Sequence, residues 1–136
     1  MPFKLHPQLA ADTIPVGDLA VCRVLLMNNC LFPWLVLVPQ REGLREIFDL
    51  GEEDYQAVMN EIRMVSAHFA AHAKAHKINI AALGNMVPQL HIHIIARFET
   101  DAAWPNPVWG TPAERYTQSE ITKTIEFIKK WLCNTA

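Results

Sequence analysis

Charge is scarce in this chain, and cysteine is scarcer still. Charged residues fill only 19% of its 136 positions, while 51% are hydrophobic. A disordered chain has the opposite balance, because it cannot bury enough apolar surface to offset the entropy of ordering. Neither sign of charge dominates: 12 basic residues face 14 acidic ones, for a net charge of −2. No global field therefore draws the protein to a nucleic-acid backbone or an anionic membrane. The three cysteines, Cys22, Cys30 and Cys133, are odd in number, far apart and without a Cys-x-x-Cys pair. They read as reduced thiols of a cytoplasmic protein, with Cys22 and Cys30 as small core residues, and not as a disulfide framework. The longest apolar run, residues 31–38, is far short of the ~20 residues that cross a bilayer. No basic, apolar and small-residue succession marks a signal peptide. No repeat, low-complexity tract or long linker divides the chain, so the expectation is a single domain over 1–136.

The apolar pattern places the elements. Residues 6–15 read as a short N-terminal element of one or two helical turns. Leu19 to Met27 and Trp34 to Val38 read as two strands of a hairpin, with Asn28-Asn29 as a turn signal and Pro39 as a stop. Val58, Ile62, Val65 and Phe69 recur at helical spacing in a helix from Gly51 to about Lys77, with acidic residues in its first turn and Asp49 or Gly51 as its cap. Residues 78–83 and 90–97 are further strands, the first followed by a Gly84-Asn85 turn. A Pro- and Trp-rich loop follows, and Thr117-Gln118-Ser119-Glu120 opens a last helix with a capping box. Ile121, Ile125, Ile128 and Leu132 form its buried face. The predicted class is α+β: an antiparallel meander sheet with one long helix and a C-terminal helix, with a core over about 19–110 and a C-terminal loop and helix over 99–132. Four strands and a helix leave one sheet edge and one sheet face to cover, which favours a homodimer that extends the sheet.

The chemistry concentrates in Gln89-Leu90-His91-Ile92-His93-Ile94-Ile95. Strand alternation sends Leu90, Ile92 and Ile94 to the core and Gln89, His91 and His93 to the other face. Two neighbouring imidazoles can converge on one anion, and neutral imidazole is a good nucleophile near pH 7. A backbone carbonyl would serve to fix the tautomer. The same pattern also suits two idle, partly buried histidines, or two ligands of a zinc ion that lacks an obvious third ligand nearby.

The segment resembles the signature of the histidine triad superfamily, His-φ-His-φ-His-φ-φ with φ apolar, with Gln89 in place of the first histidine. The likeness runs from about Leu19 to Gly110. It is strongest to the small bacterial branch described as dinucleoside-polyphosphate-hydrolase-like, where Gly-Asn-Met-Val-Pro-Gln-Leu-His leads into the triad. The resemblance implies a nucleotide substrate and cleavage of a bond to its α-phosphorus, in a phosphoanhydride such as a dinucleoside polyphosphate or in a phosphoramidate. His91 matches the histidine that attacks and carries the nucleotidyl group; His93 matches the one that contacts the transferred phosphate. The resemblance further implies phosphate contacts from Gln89 and Asn85, and a ribose contact from Asn28, with Asn29 as the competing assignment. Asn28 and Asn85 equally suit plain turn positions. Pro33-Trp34 stands where family members commonly carry Gly-His, which removes a second imidazole from the surroundings. No cofactor is implied, although a divalent metal such as magnesium can accompany a polyphosphate.

Two further features stand outside the motif. Trp104 and Trp109, in the loop after the triad, are candidates for closing the site and also suit packing of the C-terminal tail. His68, His72 and His76 recur every fourth residue, a spacing that fits either a metal or pH-sensing ladder or a solvated helix face with Lys74 and Lys77. The leading functional reading is a nucleotide hydrolase or nucleotidyl transferase. The alternatives are a non-catalytic nucleotide-binding module and a dimeric interaction protein on the same fold.

Overall fold

The computed structural model describes residues 2–133. Its elements are α1 (Pro7–Asp12), β1 (Thr13–Asp18), β2 (Cys22–Met27), β3 (Trp34–Pro39), a 3-10 turn (Ile47–Asp49), α2 (Glu52–Ala73), β4 (Lys77–Ala81), β5 (Ile92–Arg97) and α3 (Gln118–Leu132). All neighbouring strands are antiparallel, in a five-stranded sheet of order β1-β2-β3-β5-β4. The class is therefore α+β as expected, with one strand more than the pattern indicated. That strand, β1, carries Pro15 and Gly17, which interrupt the apolar alternation. It tolerates them because it lies at the sheet edge and bulges between Pro15 and Gly17.

The elements end for local reasons. Gly51 caps α2, while Asp49 serves the 3-10 turn, where its carboxylate accepts from Glu46 N at 3.0 Å. α2 stops at Lys74, which turns left-handed at φ 56° and donates its N–H to Ala70 O. In α3, Glu120 and Thr117 cap each other as the sequence predicts.

The sheet has two cores. On one face Val24, Leu26, Leu35, Leu37, Ile92 and Ile94 pack with Val58, Ile62, Val65 and Phe69 of α2 and with Ile128, Trp131 and Leu132 of α3. On the other, Leu25, Trp34, Val36, Val38 and Ile95 pack with Leu9 and with Ala103 and Val108 from the loop after β5. The second face, expected to be open, is thus covered by the chain's own N-terminal segment and post-β5 loop. The two edge strands are β1 and β4; on β4 Ile80 is 52% exposed, and Met86 in the loop beyond is 92% exposed.

Two smaller expectations also change. Cys22 is a core residue, but Cys30 is half-buried and its Sγ donates to Glu114 Oε2 at 3.0 Å. That bond, with the charge it brings, raises the thiol to about 11 and keeps it protonated. The helix histidines are not a plain solvated stripe. His68 and His72 stack almost parallel with Trp131, at centroid distances of 6.3 and 5.7 Å, whereas His76 sits beside Glu99 and Trp104.

Candidate functional site

β5 is the strand between β3 and β4, so its residues are buried on both faces. Its odd positions face the second core. His91, just before the strand, and His93, inside it, are 7% and 5% exposed, and their rings meet edge to face at 4.9 Å.

Each imidazole has one nitrogen committed. His91 Nδ1 lies 2.7 Å from the Gln89 carbonyl oxygen. A carbonyl only accepts, so Nδ1 carries the proton and Nε2 keeps its lone pair. His93 has the opposite arrangement. The Trp34 indole N–H donates to His93 Nδ1 at 3.0 Å, so in the neutral ring the proton sits on Nε2. Burial, with the neighbouring His91 as a second cause, lowers His93 to about 4. With both rings neutral, the site offers one lone pair, on His91 Nε2, beside one uncharged N–H donor, on His93.

Trp109 completes the aromatic surround. Its ring meets His93 edge-on at 5.2 Å and Trp34 at 5.7 Å. A cleft of about 390 Å³ opens against Trp34 and Trp109 and is lined as well by Asp12, Asn28, Thr111 and Arg115.

The loop bearing Trp109 is held from β5 itself. Arg97, 1% exposed, donates to both Asp101 oxygens at 2.8 and 3.0 Å, to Asn79 Oδ1 at 2.9 Å and to the Asn106 carbonyl at 2.8 Å. Asp101 also accepts from the N–H groups of Phe98, Ala103 and Trp104. The Arg97 guanidinium, aided by these N–H donors, holds the Asp101 carboxyl far below the usual carboxylate range.

The residues singled out in the sequence fall into two groups. His91, His93 and Trp109 come together. Asn28 lines the cleft; its Oδ1 accepts from Tyr116 N at 3.0 Å, which orients the side chain and leaves its amide nitrogen as a donor for a ligand. Asn29 is buried, and its Oδ1 faces the N–H groups of Leu31 and Glu114. Gln89 does not join the imidazoles. Its Oε1 accepts from His6 N at 2.8 Å and its Nε2 donates to Lys4 O at 2.9 Å. The reason is that regular strand geometry begins only at Ile92, so alternation does not reach back to residue 89. Trp104 is also elsewhere, with the Arg97 guanidinium over its ring at 5.6 Å and His76 at its edge. Asn85 is exposed on the loop between β4 and β5. Among the described residues, no group of three or more His, Cys, Asp or Glu side chains is placed to hold a metal ion. Among the described residues, no helix is long and apolar enough to cross a membrane.

Comparison with known proteins identifies the family. The profile of the HIT domain matches residues 8–100. The chain belongs to the histidine triad family. Solved structures of this family superpose closely on this HIT protein. A histidine triad protein of Marinobacter aquaeolei VT8 is 42% identical, with 100% of both chains covered and a TM-score of 0.97. Histidine triad proteins of Bradyrhizobium japonicum and Sinorhizobium meliloti 1021 are 44% and 43% identical, with TM-scores of 0.93 and 0.91. They cover 96% and 94% of this HIT protein and 98% and 96% of their own chains. A search of curated protein sequences gave no match.

Sequence reasoning missed Trp34, Asp12 and Arg97 as parts of this arrangement. Trp34 had a visible signal, as an indole at a position where the family places an imidazole. Asp12 and Arg97 had none, because a carboxylate ending a short helix and an arginine ending a strand look like ordinary surface charges.

Proposed function

We propose that this HIT protein is a nucleotide hydrolase or nucleotidyl transferase that cleaves a bond to the α-phosphorus of a nucleoside phosphoanhydride or phosphoramidate. One observation carries the reading: the Gln89 carbonyl fixes the tautomer of neutral His91, which leaves the lone pair on Nε2 of a ring whose centroid lies 4.9 Å from that of His93. His91 Nε2 attacks phosphorus, the bond to the leaving group breaks, and a nucleotidyl-histidine forms. Water then breaks the P–N bond and returns His91 to its starting state. His93 Nε2–H donates to a phosphoryl oxygen, with Asn85 as an outer phosphate contact. Magnesium, where used, arrives with the polyphosphate. The protein is read as cytoplasmic.

The cleft at Trp34 and Trp109 takes the nucleoside. The Asn28 amide nitrogen donates to a sugar oxygen, and the Asp12 carboxylate accepts from the sugar hydroxyls. Asp12→Ala is expected to weaken binding of a ribonucleotide by about 1–2 kcal/mol, the scale of one or two hydrogen bonds. Binding of the 2′,3′-dideoxy analogue should not change. Calorimetric titration of both ligands decides it, and equal losses would remove Asp12 from the sugar site.

The functional test is intact mass after mixing with a dinucleoside polyphosphate. A nucleotidyl adduct on His91, or steady product, supports the enzyme. Binding with neither supports the second reading, a nucleotide-binding module, which the diversion of the Gln89 side chain from the imidazoles favours.

We also propose a homodimer through the β4 edge. β4 ends the sheet with exposed Ile80 on it, and an edge strand of this kind can pair with a second copy. Light scattering should give a dimer at micromolar concentration, and Ile80→Lys should shift it toward monomer. A wild-type monomer would count against it.

A further inference from the structure

The proton inventory of the site narrows the substrate class, given that the nucleotidyl-histidine reading holds. We propose that Trp34 is a positioning residue that fixes His93 as a neutral Nε2–H donor, so that the site lacks a general acid and acts on phosphoanhydrides in preference to phosphoramidates.

The argument starts from the donors. An indole N–H can only donate, and here it is spent on His93 Nδ1 at 3.0 Å inside the core. Protonating His93 would put an N–H against that indole N–H and a charge into a buried site beside His91. The groups that meet the His93 ring are His91 from its own segment, Trp34 from β3 and Trp109 from the post-β5 loop, with Val36 and Ala81 as its ladder neighbours. None of them lends a negative charge that would hold an imidazolium. The charged side chains lining the adjacent cleft are Asp12 and Arg115, beyond the two indoles. The His91 Nδ1 proton is spent on the Gln89 carbonyl. Gln89 itself is turned to Lys4 and His6. Burial lowers His93 to about 4, in agreement with this geometry.

The leaving group feels the difference. In a phosphoanhydride, attack by Nε2 forms the P–N bond, and the bridging P–O bond breaks with its electron pair on the departing oxygen. A phosphate or polyphosphate anion is stable at neutral pH and needs no proton. In a phosphoramidate the same step would expel an amide anion unless the nitrogen first received a proton, and none of the described side chains that meet the His93 ring has one to give. Water then attacks the nucleotidyl-histidine. The P–N electron pair returns to Nε2, and the water's proton passes to solvent.

The test pairs two substrates with one nucleoside: a diadenosine polyphosphate and adenosine 5′-phosphoramidate. Wild-type kcat/KM at pH 7 should favour the anhydride by about 100-fold, the usual scale of a general acid's contribution. The pH profile of anhydride cleavage should show one ionisation on its acid limb. Trp34→Phe frees His93 Nδ1 and should add a second ionisation there, raising the phosphoramidate-to-anhydride ratio at pH 6 by about tenfold. Nitrogen NMR of the wild type gives the tautomer without a variant, with His93 expected as neutral Nε2–H down to pH 5. Comparable rates on both substrates, or a charged or Nδ1–H His93 at pH 6, would overturn the proposal while leaving the nucleotidyl-histidine reading intact. So would a Trp34→Phe variant that folds and leaves ratio and profile unchanged. Failure to cleave either substrate or form an adduct would overturn both readings.

Discussion

His91→Ala is expected to lower turnover by roughly three or more orders of magnitude while nucleotide binding survives. On the proposed reading the two effects separate, because the attacking lone pair would belong to His91 alone, whereas binding would also draw on the cleft and on His93. Removing a covalent nucleophile takes away the route itself, so no neighbouring contact compensates. His93→Ala should behave differently. It removes one preorganised donor to the phosphoryl oxygens, a loss of about 3–4 kcal/mol of transition-state stabilisation. That variant should be slow and still form an adduct with an activated leaving group. His91→Gly sharpens the comparison, since added imidazole can enter the vacated space and restore part of the activity. Single-turnover rates together with calorimetric affinities check all three variants, and wild-type turnover by His91→Ala would defeat the nucleotidyl-histidine reading outright.

Arg97→Met should be the most destabilising single change, at about 3–5 kcal/mol, because it leaves the Asp101 carboxylate buried without its partner. The two side chains are 2% and 4% exposed, so solvent does not screen them. Charge burial makes the effect depend on pH in a fixed direction. The Asp101 carboxyl titrates far lower in the folded protein than its unfolded value of about 3.9. The unfolded chain therefore binds the proton first as pH falls. The stability Asp101 contributes is complete above that unfolded value and drains away below it, toward the depressed folded one. Urea unfolding should thus show the Arg97→Met deficit in full at pH 7 and a smaller one at pH 3. A deficit that stays constant across that range would assign the loss to packing and not to the ion pair. Because the same pair anchors the loop carrying Trp109, the variant should also lose affinity for nucleotide.

What was legible in the sequence followed periodicity and capping. The alternation along residues 90–97 located both imidazoles and the core partners Ile92 and Ile94, and the Val58-to-Phe69 spacing located α2. Capping chemistry gave the start of α3 to the residue. What was not legible depended on contacts between distant segments. β1 was hidden because an edge strand can carry a proline and a bulge that a central strand cannot. Alternation puts Gln89 on the face of the imidazoles, and the family resemblance gives it a phosphate contact, but it lies past the end of the strand in a bend where its side chain meets Lys4 and His6 instead. Trp34 counted as the loss of an imidazole, although its indole N–H bonds directly to the imidazole that remains. Trp104 and Trp109 looked equivalent in one short loop, and only the Arg97 network separates the tryptophan beside the site from the one beside the guanidinium.

The tie between Gln89 and the N-terminal segment bears on how the protein assembles. Lys4 and His6 are 85 and 83 residues away from Gln89 along the chain, and Asn28 meets Tyr116 across 88. Closing loops of that length costs entropy before any contact compensates, so such pairings belong to the slow class of folding events. Helices and hairpins form from neighbours. The Gln89 residue whose carbonyl orients His91 and the asparagine beside the cleft are both braced by hydrogen bonds of this long range. Catalytic competence on refolding should accordingly trail the recovery of secondary structure.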